Sequence, residues 1–442
     1  MVHMNLLQFR GRGQLRWLLV GWMFAISAIA YLDRVNISIA GGSIRNEFGL
    51  DNTRLGWVFS SFVVGYALFQ APGGRLADRF GPRIILSLAT IWWAVFTALV
   101  TAIPTGIPGA LAVLISARFL LGLGEAMVFP ASNRLVAAWI PSRERGLANG
   151  LIFAGVGAGA GVTPPLITLI LLSYGWRWSF WICAAAGVAA GLVWYIVARD
   201  RPDAHPWIKD AEIQHIRSDM PKQTEAGPGV TLAWGTILGS RNVWALTVSY
   251  FAFGYVSYIF FTWFFIYLNT VRGLDLKASA LFGMLPFLAM ATFAPLGGYL
   301  SDLLTKRYGK RAGRSGLPVV SMAVAAVIIV LAMQARDARV ASIVLAGGAG
   351  VLYLSTSCFW SVTADIAGAA AGSVSGVMNM GNQIGGAVTA SLTPLLAKSF
   401  GWPSSFLAAA ALCLVGSLVW LKVDPDRVLF RKPLREFAGM NR

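Results

Sequence analysis

Charge is scarce in this chain. Only 12% of its 442 residues are Asp, Glu, Lys or Arg, against roughly 25% in soluble domains. That rules out a soluble enzyme, whose surface needs charge, and a disordered chain, whose charge is high and apolar content low. Histidine is scarcer. His3, His205 and His215 all lie outside the long apolar runs, so histidine is not placed to carry protons inside a membrane. The three cysteines, Cys183, Cys358 and Cys413, sit far apart within apolar runs. Neither a disulfide framework nor a metal-ligand cluster follows from that spacing. No nucleophile–base pair or cofactor motif is present, so the chain reads as a non-enzyme without a cofactor.

What the chain has is apolar length. The apolar share is 57%, gathered in segments of about 18 to 27 residues, and about 20 such residues cross the ~30 Å hydrocarbon core as a helix. The pattern predicts twelve transmembrane helices, over 17–40, 55–75, 83–103, 109–134, 145–171, 178–198, 241–269, 278–304, 317–335, 340–365, 372–397 and 404–422. The longest polar stretch, 199–240, predicts a linker between an N-terminal six-helix bundle (1–198) and a C-terminal one (241–442) that ends in a short tail. Within it, Ala211 to Ser218 reads as a short surface helix. No cleavable signal peptide is evident, since the first run is long enough to span and follows Arg10, Arg12 and Arg16.

The net charge of +17 would suggest nucleic acid in a soluble protein, but its placement argues otherwise. With the N-terminus cytoplasmic, 26 Lys and Arg fall in cytoplasmic segments and 8 in external loops. That bias sets orientation. It puts both termini in the cytoplasm of a cell inner membrane, with the basic residues facing anionic lipid headgroups.

An internal repeat supports the six-plus-six division. Gly74-Arg-Leu-Ala-Asp78 recurs as Gly298-Tyr-Leu-Ser-Asp302, and Gly175-Trp176-Arg-Trp-Ser-Phe180 as Gly401-Trp402-Pro-Ser-Ser-Phe406. The offsets, 224 and 226, nearly agree, and the paired runs hold equivalent places in the two halves. Two pseudo-symmetric bundles imply a ligand site near mid-membrane between them.

The loop after the second helix reads Gly74-Arg75-Leu76-Ala77-Asp78-Arg79-Phe80-Gly81-Pro82-Arg83. It resembles the signature of the major facilitator superfamily, with the degenerate copy ending at Asp302. Read physically it is a gating latch. Asp78 stands at a helix end within reach of Arg79, Arg83 or a facing helix terminus, while Gly74 and Gly81 permit close approach and a tight turn. The alternative is a topology signal alone.

Further runs are similar to the anion:cation symporter family of that superfamily. They are Tyr31-Leu-Asp33-Arg34-Val-Asn36, then Arg118-Phe-Leu-Leu-Gly-Leu-Gly-Glu125-Ala-Met-Val-Phe-Pro130, Trp139-Ile-Pro141-Ser-Arg-Glu144-Arg145-Gly, Phe359-Trp360-Ser361 and Asn379-Met-Gly-Asn382. The resemblance covers essentially the whole chain and implies a proton-coupled carrier of sugar acids, hexuronates or other organic anions, with protons, the anion and the bilayer as partners. It assigns Asp33 and Glu125 as protonation sites and Arg34 as the anion anchor. Many sugar-acid members carry a helix 5 Gln where this chain has Val156, followed by Gly157, which implies a less polar and roomier wall.

The charged residues carry a reading of their own. Asp33, Glu125, Arg34 and Arg118 are the ionisable residues well inside predicted spans. Each costs ~2.5–3.5 kcal/mol at the bilayer centre even on the lower scales. Arg118 and Glu125, seven apart, share a helix face. A carboxyl in apolar surroundings is neutral in the interior and ionised when wetted, which suits proton coupling, and a guanidinium binds carboxylate in bidentate fashion. The alternative is a structural network tying helices 1 and 4 together. The family resemblance also implies cavity positions for Tyr66, Ser357 and Trp360, while helical spacing puts Asn379, Asn382 and Gln383 on one face. With Tyr31 and Arg118, Tyr66, Ser357, Trp360, Asn379 and Asn382 are the further substrate-binding candidates, and Tyr250, Tyr255 and Tyr258 are additional polar groups. For each, helix packing is the plain alternative. The reading is a monomeric proton-coupled symporter importing a small organic anion. An anion exporter and a non-transporting sensor are its rivals.

Overall fold

The computed structural model describes residues 14–219 and 231–429. His3, Arg10, Arg12, the Gly/Pro run of the linker and most of the tail lie outside the described residues. The described chain is all-helical. Twelve helices cross the fold: α1 Leu15–Glu47, α2 Asn52–Phe80, α3 Pro82–Ala102, α4 Ala110–Trp139, α5 Arg145–Tyr174, α6 Trp176–Val197, α7 Arg241–Thr262, α8 Leu285–Tyr308, α9 Leu317–Gln334, α10 Ala338–Tyr353 continued as Thr356–Ala367, α11 Ala371–Phe400 and α12 Trp402–Trp420. Eleven helical stretches are long and apolar enough to cross a membrane. The longest, Ala338–Phe400, holds α10 and α11, which part at Gly368 (φ +47°). The short surface helix spans Asp210–Arg217.

The helices outrun the apolar segments that announce them: α1 continues to Glu47 and α2 to Phe80. Hydropathy marks where lipid ends, whereas helical hydrogen bonding continues to the next cap or turn. Asp51 accepts the Arg54 N–H at 2.7 Å, and Asp337 the Val340 N–H at 2.9 Å. Both satisfy open helix N-termini. The run from Gly74 to Phe80 is therefore helix rather than loop, and the turn is Gly81 alone (φ +89°), a backbone state that favours glycine.

The two halves repeat more closely than the sequence motifs do. α4 is interrupted between Glu125 and Val128, and α10 between Tyr353 and Thr356. The positive-φ turns at Gly81 and Gly175 have counterparts at Gly309 (φ +88°) and Gly401 (φ +82°). The bundles meet along two seams of small residues. On the first, Gly74 and Gly376 of α2 and α11 approach the opposite backbone; on the second, Gly146 and Gly150 of α5 approach Gly298 and Ala294 of α8. Without an apolar driving force between helices in lipid, such close backbone contact supplies the packing.

The linker helix is fastened to the first bundle. Buried Glu212 accepts the N–H of Arg16 at 3.2 Å and pairs with its guanidinium at 3.1 Å. The same guanidinium reaches Glu144 at 2.9 Å, and His215 Nε2 lies 2.7 Å from Glu144. His205 Nε2 lies 2.8 Å from the Val197 carbonyl, and the Trp207 N–H donates to Nδ1 at 3.1 Å. Burial holds this imidazole below the usual histidine range, and the accepting Nδ1 with Nε2 at a carbonyl fits a structural role.

Candidate functional site

The first turns of α2, α4 and α8 lie at the face opposite the Gly81 turn, and a cavity of about 270 Å3 opens in that half of the molecule. Its wall includes Tyr31, Arg34 and Ser38 of α1, Phe62 of α2, Arg118 of α4, Tyr258 of α7 and Gln383 of α11. Both bundles contribute, as the pseudo-symmetry requires.

The four ionisable residues converge here, but not as their order in sequence suggests. Arg34 is not committed to its neighbour Asp33. It binds Glu125 Oε1 through Nη2 at 2.7 Å and Nε at 3.2 Å, and donates to the Tyr31 hydroxyl at 3.2 Å. Its guanidinium lies 4.3 Å from the Tyr66 ring centroid and 5.0 Å from that of Phe62. Adjacent residues on a helix point about 100° apart, so Asp33 turns toward α3 and accepts the Thr97 hydroxyl at 2.8 Å. Asp33 and Glu125 are buried, and each keeps one carboxylate oxygen without a partner. Glu125 sits at the interruption of α4. Arg118 is also buried; its guanidinium lies 4.8 Å from the Phe62 centroid, and its Nε and Nη1 have no hydrogen-bond partner.

Other expected residues lie deeper. Asn379 donates to Gln70 at 2.9 Å, a buried bond between bundles. Trp360 donates to the Tyr250 hydroxyl at 3.0 Å and packs against Phe129 and Phe153. Ser357 is fully buried, and Asn382 is half-buried with its backbone against Gly254. Tyr66, Ser357, Trp360, Asn379 and Asn382 are not on the wall of the 270 Å3 cavity. Tyr255 is buried beside them, its hydroxyl unpartnered, while Tyr258 donates to Gln383 at 2.7 Å on the wall. Val156 is fully buried away from the cavity, and a Cβ on Gly157 would stand 2.6 Å from the Phe287 carbonyl oxygen of α8. That pair tightens a helix contact and does not widen the wall.

At the other face the bundles are latched twice. Asp78 accepts the N–H groups of Gly372 (2.9 Å) and Ser373 (2.7 Å) at the start of α11. Asp302 accepts those of Gly146 (2.9 Å) and Leu147 (2.7 Å) at the start of α5. Each carboxylate satisfies open donors at a helix N-terminus, where the dipole also favours it. Of the alternatives open to Asp78, the facing helix terminus is its partner. Arg79 is exposed over the Phe80 ring, and Arg83 donates to Asp200 and the Tyr195 carbonyl, both at 2.8 Å. Burial raises the Asp200 carboxyl above the usual range. Arg75 donates to the Leu232 carbonyl of the linker.

Sequence reasoning missed the ion cluster between these latches. Arg145 pairs with Asp365 at 2.6 Å, Arg314 with Asp302 at 2.7 Å, and Ser142 donates to Asp365 at 2.9 Å. The signal was present: the predicted cytoplasmic segment 366–371 carries no basic residue and follows an aspartate.

A family profile described as Major Facilitator Superfamily matches residues 23–390. The chain belongs to the major facilitator superfamily. Its relatives include a probable sulfoacetate transporter of Cupriavidus necator, 35% identical over 93% of this chain and 94% of that one. A D-galactonate transporter of Escherichia coli is 29% identical (94% and 96%), and a hexuronate transporter of Bacillus subtilis 27% identical (91% and 93%). These relatives are of the anion:cation symporter type. The solved proton:xylose symporter of the superfamily, bound to 6-bromo-6-deoxy-D-glucose, aligns with a TM-score of 0.72 at 15% identity, over 92% of this chain and 96% of that one. At that identity the match speaks for the fold alone. As a member of this superfamily the protein is a multi-pass membrane transporter and not an enzyme.

Proposed function

We propose that this protein is a monomeric proton-coupled symporter. It imports a small organic anion, a sugar acid, hexuronate or related carboxylate, across the cell inner membrane by alternating access. Residues 1–198 and 241–442 act as the two rocking bundles, joined by 199–240. The observation that carries this reading is the Arg34–Glu125 ion pair at the cavity wall. A guanidinium held by a carboxylate is released when that carboxylate takes a proton, and is then free to bind the carboxylate of a substrate. Protonation and anion binding are thereby linked at one atom set.

The excess of basic residues at the Gly81 face supports a cytoplasmic location for that face and both termini. The latches at Asp78 and Asp302 then close the cytoplasmic side while the cavity lies toward the outside. Asp33 and Glu125 take up protons from outside, and Arg34 leaves Glu125 for the anion. The anion pairs with the guanidinium that protonation has freed, so rocking does not drag an unpaired Arg34 through low dielectric. The latches part, and water from the cytoplasm ionises the carboxyls and releases the load. The relatives' sulfoacetate, D-galactonate and hexuronate substrates support an anionic cargo.

The test is uptake of labelled organic anions into proteoliposomes under an imposed inward pH gradient. Accumulation that a protonophore abolishes is the expected result. Accumulation only on a reversed gradient would mean export instead, and no transport would favour a sensor.

A further inference from the structure

We propose that the carried anion is a compact dianion, bound by Arg34 at one end and by Arg118 at the other, and that it moves with two protons in an electroneutral cycle. The proposal rests on the symport reading above and narrows its cargo.

The first observation is that two guanidinium groups share one cavity wall. They lie 5.0 Å and 4.8 Å from the Phe62 ring centroid, which bounds the separation of their central carbons at 9.8 Å. Arg34 already has Glu125. Arg118 is 2% exposed, and among the described residues its Nε and Nη1 have no hydrogen-bond partner and it makes no ion pair within 4.0 Å; Asp33 and Glu125 act on it only from farther away. Buried polar groups are nearly always hydrogen-bonded, so two orphan donors at a cavity wall mark a place for an acceptor. A guanidinium and a bidentate carboxylate stand about 4 Å apart centre to centre, given N–H···O contacts of ~2.7–2.9 Å. Two such contacts take up about 8 Å of the 9.8 Å bound, so both are met together only by anionic groups held close, about one or two carbons apart, and seated to one side of the line joining the guanidiniums.

The second observation is the character of the wall. Phe62 lies against both arginines, and the same wall carries Phe59, Phe261 and Val63. Of its hydroxyls, Tyr258 donates to Gln383, Thr262 donates to the Tyr258 carbonyl and Tyr31 accepts from Arg34, which leaves Ser38 as the main hydroxyl on offer. A polyol chain would lose more water partners here than this wall replaces. A short, sparsely hydroxylated body would not.

The third is charge. Asp33, Glu125, Arg34 and Arg118 sum to zero when both acids are ionised. Two added protons leave two positive groups, and a dianion restores neutrality, which a monoanion does not.

The experiment compares malonate, succinate and sulfoacetate with acetate, lactate and gluconate. Binding is read by calorimetry on the purified protein, and transport by isotope uptake and by current on a solid-supported membrane. At least one dianion should bind about tenfold or more tighter than every monoanion, and its pH-driven uptake should carry no net current. Arg118→Gln should reduce that dianion-to-monoanion ratio about tenfold, and Arg118→Lys less. Equal binding of the two classes, or inward positive current with the dianion, overturns the proposal while leaving symport intact. Absence of any anion binding or accumulation overturns the symport reading itself. If Arg118→Gln does not yield a monodisperse protein, the wild-type ratio and current decide.

Discussion

Gly74 meets Gly372 backbone to backbone: a Cβ placed on Gly74 would stand 2.0 Å from the Gly372 carbonyl oxygen. The repeat reproduces the contact in the other seam, where a Cβ on Gly298 would stand 2.1 Å from the Gly146 oxygen. Each contact sets an aspartate of one bundle against the helix N-terminus of the other. A gate built this way is held by close approach as much as by charge.

Gly74→Val should therefore open that gate. The variant cannot seat its side chain without parting α2 from α11, so the population shifts away from the state with the cavity exposed. Ser38→Cys on the cavity wall reports this, because the native Cys183, Cys358 and Cys413 are buried. Labelling of Ser38→Cys by an impermeant maleimide should fall about threefold in the Gly74→Val background, which for an exposed state populated at about nine in ten is a shift of about 2 kcal/mol. Unchanged labelling would remove Gly74 from the gate.

Asp365 is fully buried against Arg145, and Arg314 and Lys310 lie within 4.0 Å of it. Removing one partner of a buried pair leaves an uncompensated charge, at a cost of about 3–5 kcal/mol. Asp365→Ala should lose most of its monodisperse yield, measured by detergent size-exclusion chromatography. Asp365→Asn keeps an acceptor for Ser142 and should lose less. A wild-type yield for Asp365→Ala would show that this cluster does not hold the closed face.

Glu212 satisfies α1 from the linker. Glu212→Ala frees the N–H groups of Leu15 and Arg16 while Arg16 keeps Glu144. A loss of about 1–3 kcal/mol is expected, seen as a lower melting temperature and faster proteolysis within 199–240. Anion binding, which occurs elsewhere, should not change.

The twelve crossings, the linker helix and the repeat were legible because apolar length, turn glycines and duplicated motifs are local signals. So was the membership of Arg34, Glu125, Asp33 and Arg118 in one region, since lipid makes such residues conspicuous. Their pairing was not legible. Adjacency in sequence points to Asp33 with Arg34, but helical rotation sends Asp33 to Thr97 and Arg34 across to Glu125. The partners of Gln70, Arg145 and Asp365 went unseen for a related reason: each lies on another helix, and sequence spacing carries no record of that. Helix ends were misplaced where amphipathic turns extend beyond the apolar core, as at Gly74–Phe80.

The most direct test of the account is Glu125→Gln in proteoliposomes, with accumulation on an imposed pH gradient and substrate counterflow measured side by side. The amide keeps the shape and a hydrogen-bond acceptor for Arg34 but cannot exchange a proton. Accumulation should disappear while counterflow persists. A Glu125→Gln protein that still concentrates its substrate on a pH gradient would contradict the central claim.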